Sequence, residues 1–140
     1  MSTLVIPTSE AKPVRASAVK IGRVLSALAI LFLTFDTAIK FTGSAPVVDS
    51  LTQLGWPVSA AVGIAILELV CLVLYVVPRT SALGVVLLTG YLGGAVATHA
   101  RIGNPLFSHV LFPVYIAALL WSGLYLRDAR IRALVHRDAQ

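Results

Sequence analysis

The chain is poor in charge and nearly free of cysteine. Only 12% of its 140 residues are charged and 58% are hydrophobic, whereas about a quarter of the residues in soluble domains are charged. A single domain of this length has too little interior to hide so much apolar surface from water. The composition therefore excludes an ordinary soluble domain, and it predicts a protein whose solvent is the lipid bilayer.

The scarcity of cysteine limits the chemistry that the chain can perform alone. Cys71 is the only cysteine, so there is no internal dithiol couple, no iron–sulfur ligand set and no c-type haem attachment. A Gly-rich phosphate loop and an HExxH metal motif are likewise missing from the sequence. Any part in electron transfer would therefore need a membrane or periplasmic redox partner.

Four apolar segments have the roughly 17–25 residues that a membrane-crossing helix requires. They cover residues 24–41, 58–77, 81–98 and 106–126. Long apolar runs without polar alternation favour helices over barrel strands. The predicted fold class is all-α, an integral membrane four-helix antiparallel bundle. In the loop after the first span, VVDSLTQLGWP predicts a short amphipathic helix with Val47, Val48, Leu51 and Leu54 on its apolar face.

Most of the basic residues behind the net charge of +5 flank the predicted spans on one side, which is typical of a membrane protein and argues against nucleic acid as a partner. Only Lys40 and Arg101 fall on one side of the predicted spans, and the positive-inside rule then places both termini in the cytoplasm of a bacterial inner membrane. A basic start before VLSALAILFLTF is also typical of a signal peptide, but the charges after that run favour an uncleaved helix. The basic residues on the other side are Lys12, Arg15, Lys20, Arg23, Arg79, Arg127, Arg130, Arg132 and Arg137.

The spans define the predicted domain organisation. Residues 1–19 form a flexible cytoplasmic tail, residues 20–135 the transmembrane domain and residues 136–140 a C-terminal tail. The stretch LRDARIRALVHRDAQ predicts a basic amphipathic continuation of the fourth helix. A second copy of the same chain is a candidate partner.

Ionisable and polar residues inside the spans are the candidate site. Glu68 lies near the middle of its helix, where a charge is costly and faces the interior or a cavity. Asp36 and Lys40 are spaced i, i+4, so they share a helix face and can pair. Tyr91 lies on a polar stripe of the third span. Each of these side chains could bind a ligand or simply join the helices.

Three further polar residues surround the turn between the third and fourth spans. His99, Arg101 and His109 lie at the outer rim. Together with the polar residues inside the spans, they form a series that enters the membrane from the outer side only, and this predicts a pocket that opens outward. Two histidines without a third soft ligand argue against haem or a metal. Gly90 and Gly94 form a small-residue face, which predicts close helix packing.

Two stretches resemble the DoxX-like family. They are FDTAIKFTGSAPVVDSLTQLGWP and LLTGYLGGAVATHARIGNPLFSHVLFPVYIAALLWSGLYLRDARIRAL, and the resemblance covers about residues 20–135. It rests on an acid and a lysine four residues apart, a following proline and a loop that ends in Gly-aromatic-Pro. Thr37 stands where the family usually has glycine. The resemblance implies a four-helix membrane bundle and carries over the seven polar residues named above, without an established catalytic set.

The function hypotheses come from different classes. The first is an accessory membrane protein that binds a small amphiphile, such as a quinone, in the outward pocket, with Lys40 and Arg101 at its head and Glu68 and Tyr91 deeper. The second, which the resemblance implies, is a membrane subunit of a quinone-linked thiol or sulfur redox complex. The third is a structural assembly factor for other membrane proteins, in which the polar residues only hold the helices together.

Overall fold

The computed structural model describes residues 15–136, and all regular structure within that range is helical. This confirms the all-α prediction. The first helix begins earlier than the domain boundary predicted at residue 20, while the rest of the predicted tails, residues 1–14 and 137–140, lies outside the described residues. The elements are α1 (Ala16–Thr42), α2 (Ala45–Gln53), α3 (Ala60–Val76), α4 (Ser81–Arg101), a π-helical turn (Leu106–Val110), α5 (Phe112–Arg127) and α6 (Ala129–His136).

Three helical segments are long and apolar enough to cross a membrane, namely α1, α4 and the continuous stretch Leu106–Arg127. Helix α3 is apolar but has only 17 residues, because residues 57–59 form a turn before it. Large apolar side chains cover the outside of these helices, with Leu31 70% and Phe107 73% exposed. Such a surface is stable against lipid and costly against water. The protein is therefore a membrane protein whose outer surface contacts lipid.

The fourth predicted span is confirmed as a helical segment over Leu106–Arg127, but its first turn is not α-helical. A π-helical turn follows Pro105, and α5 begins at Phe112. Pro113 has no backbone N–H to donate to the carbonyl of His109, so an α-helical ladder cannot run through this point. The register restarts at Tyr115, whose N–H donates to the Leu111 carbonyl at 3.1 Å.

The basic C-terminal stretch does not continue the fourth helix either. Asp128 has an extended backbone (φ −115°, ψ 112°) that ends α5. Its Oδ1 accepts a hydrogen bond from the Arg130 backbone N–H at 2.9 Å, which is the contact of a helix N-cap. Further hydrogen bonds from the Arg130 side chain lower the pKa of the Asp128 carboxyl. Capping thus starts α6 as a separate helix.

The predicted amphipathic helix is confirmed as α2. Val47 and Leu51 are buried and pack with Ala61 at the start of α3. Gly55, at φ 73°, adopts the left-handed conformation that commonly follows a helix, and the Trp56 N–H returns to the Leu51 carbonyl at 2.8 Å. Helix α2 therefore lies against α1 and α3 rather than free in the loop.

One half of the molecule is closely packed. This terminal half contains the beginnings of α1 and α4 and the ends of α3 and α5. A Cβ on Gly84 would lie 2.2 Å from the Tyr75 backbone nitrogen, and one on Gly123 would lie 2.4 Å from Ser26 Oγ. Glycine is needed at both positions because two helices meet there without room for a methyl group.

The glycines predicted to form a packing face do not do so. A Cβ on Gly90 or Gly94 would have no atom within 4 Å. The prediction of close helix contact at these two residues is therefore wrong. They lie in the other half of the molecule, the α2 half, which contains α2, the ends of α1 and α4, and the beginnings of α3 and α5.

Candidate functional site

A cluster of four polar side chains joins α1, α3 and α4 in the α2 half. The Lys40 ammonium donates to Asp36 Oδ2, to Glu68 Oε2 at 2.7 Å and to Tyr91 Oη at 3.1 Å. The Tyr91 hydroxyl in turn donates to Glu68 Oε2 at 3.0 Å. The predicted pairing of Asp36 with Lys40 is confirmed. We call Asp36, Lys40, Glu68 and Tyr91 the polar cluster.

Burial makes this cluster energetically demanding. The Glu68 side chain is fully buried, while those of Lys40 and Asp36 are 20% and 38% exposed. A buried carboxylate is tolerated only when it is paired and hydrogen-bonded. Lys40 meets that need for one Glu68 oxygen, but the other, Oε1, is buried without a hydrogen-bond partner.

A cavity of about 820 Å³ lies beside the cluster. It is bounded by α1, α2, α3, α4 and the start of α5, and most of its wall is apolar. The polar cluster contributes three side chains to this wall, those of Asp36, Lys40 and Tyr91. The main apolar contributors are Phe32, Leu33, Val47, Leu51, Leu67, Leu92, Phe112 and Ile116.

The cavity exists because α4 presents small residues to it. Gly90 and Gly94 both line it, and neither would bring a Cβ near another atom. The sequence signal that predicted close packing thus marks a space between helices. A glycine has no side chain, so it permits either close helix packing or a cavity. The positions of the neighbouring helices decide which of the two forms.

Three of the predicted site residues do not line the cavity. Glu68 lies behind Lys40 and Tyr91 and positions them. Arg101 was expected at the head of a ligand, but it is exposed, and its Nη2 donates to the Leu54 carbonyl at 2.6 Å. The guanidinium therefore fastens the end of α4 to the segment after α2. His109 is exposed on the π-helical turn.

The two histidines meet each other rather than the polar cluster. His99 lines the cavity, and its ring packs edge to face against His109 with centroids 5.8 Å apart. Hydrogen bonds join His99 Nδ1 to the Asn104 amide at 2.7 Å and His109 Nδ1 to Ser108 Oγ at 2.8 Å. Each Nδ1 is thus engaged by a neighbour in the α4–α5 connection, which suits a role in shaping that turn.

Several cavity residues escaped the sequence analysis. Helix α2 forms part of the wall through Val47, Ser50 and Leu51, and Cys71 joins it from α3. The apolar pattern of α2 is typical of a helix on a membrane surface or on a protein core, so it could not reveal a cavity. Thr37, noted only as a departure from glycine, does not line the cavity. It is buried, and its Oγ1 has no hydrogen-bond partner among the described residues.

The fold and the site together define a class of protein: a helical membrane protein with a charged cluster beside an internal cavity. The model of the DoxX-like family matches residues 24–123, a range that contains the polar cluster and all other predicted site residues. The chain belongs to the DoxX-like family, which confirms the resemblance seen in its sequence. Searches of curated proteins and of solved structures gave no match.

Proposed function

We propose that this protein is an accessory membrane protein that binds a small amphiphile, a quinone or another lipid-like molecule, in the cavity of the α2 half. The supporting observation is the position of the polar cluster on the wall of a cavity of about 820 Å³. Ligand pockets typically measure about 300–1,000 Å³ and combine an apolar lining with a few polar groups. An amphiphile has the same two parts, so its head would contact Asp36, Lys40 and Tyr91.

The proposed architecture is a four-helix antiparallel transmembrane bundle of α1, α3, α4 and α5, spanning residues 20–135. Contacts along α1 and α3 support it. Ser26 meets Tyr75 near one end, and Lys40 meets Glu68 toward the other, as expected for helices that run in opposite directions. Helix α3, with 17 residues, reaches the lower limit of about 17 residues for a spanning helix.

The proposed location is a bacterial inner membrane, with both termini in the cytoplasm. The basic residues of the terminal half support this orientation through the positive-inside rule. Among the described residues they are Arg15, Lys20, Arg23, Arg79, Arg127, Arg130 and Arg132. The cavity of the α2 half would then be reached from the outer side of the membrane, which is the outward pocket predicted from the sequence.

A cavity-filling substitution tests the binding function. Gly94 lines the cavity, whereas Gly93 does not, and a Cβ at either residue would have open space. Gly94→Leu should therefore occupy the ligand volume, and Gly93→Leu is the matched control. Native mass spectrometry of gently extracted protein should detect a bound amphiphile in the wild type and in Gly93→Leu but not in Gly94→Leu.

Two results would contradict this proposal. One is wild-type protein that carries no bound amphiphile after gentle extraction. The other is equal retention of the amphiphile by Gly94→Leu and Gly93→Leu. Thermal melting of both variants serves as the folding control, since leucine favours helix more than glycine does.

A further inference from the structure

We infer that the polar cluster selects an amphiphile whose head donates hydrogen bonds, a hydroxyl or ammonium group, over one whose head only accepts them. This inference rests on the proposed function and specifies the chemistry of its ligand. It follows from an account of which donors and acceptors in the cluster are already used.

The donors of the cluster are all engaged within it. A lysine ammonium has three N–H donors, and Lys40 has three acceptors: Asp36 Oδ2, Glu68 Oε2 and Tyr91 Oη. The single O–H of Tyr91 is directed at Glu68 Oε2. A ligand carbonyl or ether would therefore have to displace an existing charge-assisted hydrogen bond in order to bind here.

The acceptors of the cluster are not all engaged. Glu68 Oε1 is buried and unpaired, and Asp36 Oδ1 has no hydrogen bond within residues 15–136. Each carboxylate oxygen can accept about two hydrogen bonds. Asp36 therefore offers an acceptor at the cavity wall, whereas Glu68 Oε1 is closed off behind Lys40 and Tyr91 and does not line the cavity.

Charge acts in the same direction. The ammonium of Lys40 already contacts two carboxyl groups, those of Asp36 and Glu68. The cluster therefore offers an anionic head no free counter-charge and favours a neutral donor or a cation. For a quinone-like ligand, the reduced form with two hydroxyl groups fits this site, whereas the oxidised form offers only carbonyl acceptors.

Matched amphiphiles can test this inference on the wild-type protein. The first pair is 4-nonylphenol and its methyl ether, 4-nonylanisole, which differ in one donor hydrogen. The second pair is dodecylamine and dodecyltrimethylammonium, which are both cations but differ in N–H donors. Binding to the protein in detergent is measured by titration calorimetry. A hydrogen bond to a charged group is worth enough that we expect each donor to bind at least about tenfold more tightly than its partner.

The outcomes separate this inference from the function on which it rests. Equal or tighter binding of the ether and of the trimethylammonium would overturn the donor selection while leaving amphiphile binding in place. Preference in the phenol pair alone assigns a hydroxyl head, and preference in the amine pair alone assigns an ammonium head. Failure of all four compounds to bind would overturn both the inference and the proposed function.

A substitution locates the acceptor. Asp36→Asn keeps the size of the side chain but replaces an acceptor oxygen with an amide donor, so the preference for phenol over ether should fall several-fold. Asp49→Asn is the matched control, because Asp49 is exposed on α2 and lies outside the cavity lining. An unchanged preference in folded Asp36→Asn would show that Asp36 is not the acceptor. The wild-type comparison does not depend on how either variant folds.

Discussion

Each half of the molecule contains a tyrosine that joins several helices, and the two tyrosines are used differently. In the terminal half, Tyr75 Oη donates to the Leu120 carbonyl at 2.9 Å and bonds Ser26 Oγ at 2.8 Å. These groups are neutral, buried and mutually satisfied. In the α2 half, Tyr91 belongs to a charged cluster that has unpaired acceptors and borders a cavity.

The difference shows how one kind of polar contact can serve two purposes. A neutral and fully satisfied network costs little inside a membrane protein and fixes the helices to each other. A charged network with a spare acceptor stabilises less than a complete one, because part of its desolvation cost is not recovered. The adjacent space of ligand size is the feature of the α2 half on which the proposed binding function rests.

Removal of the central cation should have the largest effect. Lys40→Met retains bulk but leaves the carboxylates of Asp36 and Glu68 without a counter-charge, and we expect a loss of about 3–5 kcal/mol in unfolding free energy. Denaturant unfolding in detergent measures this loss. The double variant Lys40→Met with Glu68→Gln should recover a large part of it. A single variant as stable as the wild type would contradict the pairing.

Alanine in place of glycine should destabilise one half and not the other. Gly84→Ala would place a methyl group within 2.2 Å of the Tyr75 backbone, and such overpacking costs about 1–3 kcal/mol. Gly90→Ala meets no atom within 4 Å, so the better helix propensity of alanine should stabilise the protein by about 0.5–1 kcal/mol. Melting temperatures that change in the same direction in both variants would remove the contrast between the halves.

The two tyrosines should also differ in their tolerance of phenylalanine. Tyr75→Phe leaves the buried Ser26 hydroxyl and Leu120 carbonyl without their partner, which should cost about 1–3 kcal/mol. Tyr91→Phe should cost less, since Lys40 keeps both of its carboxylate partners. Thermal melting of the two variants side by side gives the comparison, and a larger loss from Tyr91→Phe would reverse our assignment of roles.

The smallest expected effect concerns pH at the junction of α5 and α6. The pKa of Asp128 is lowered in the folded protein by hydrogen bonds from Arg130. The stability from this carboxylate is therefore present above its unfolded pKa of about 3.9 and is lost as pH falls further. The difference in unfolding free energy between wild type and Asp128→Asn, less than about 1 kcal/mol, should be constant from about pH 7 to pH 5 and should shrink as the pH falls below about 4, which thermal melting at each pH measures. A difference that grows toward acid pH would contradict the sign.

The sequence predicted the helical class well because long apolar runs have one common solution in lipid. It also predicted that Asp36 and Lys40 can pair, because i, i+4 spacing places them side by side on one helix before any tertiary contact forms. It could not predict the hydrogen bond from Arg101 to the Leu54 carbonyl, because a side chain at a helix end can turn toward a nearby carbonyl as readily as toward the interior. It predicted a pocket from the polar residues but not that Gly90 and Gly94 would line it, since the width of a void depends on the distance between helices and not on the residues of one helix.

The central claim is that the cavity beside Asp36 and Tyr91 holds the head of an amphiphile. An experimental structure of the protein, taken from its membrane into lipid nanodiscs without detergent, tests it most directly. We predict ligand density in the cavity, with a polar head within hydrogen-bonding distance of Asp36 or Tyr91 and an apolar body along the α2 and α4 walls. A cavity closed by approach of α4, or filled only by acyl chains with no polar group at the cluster, would contradict the account.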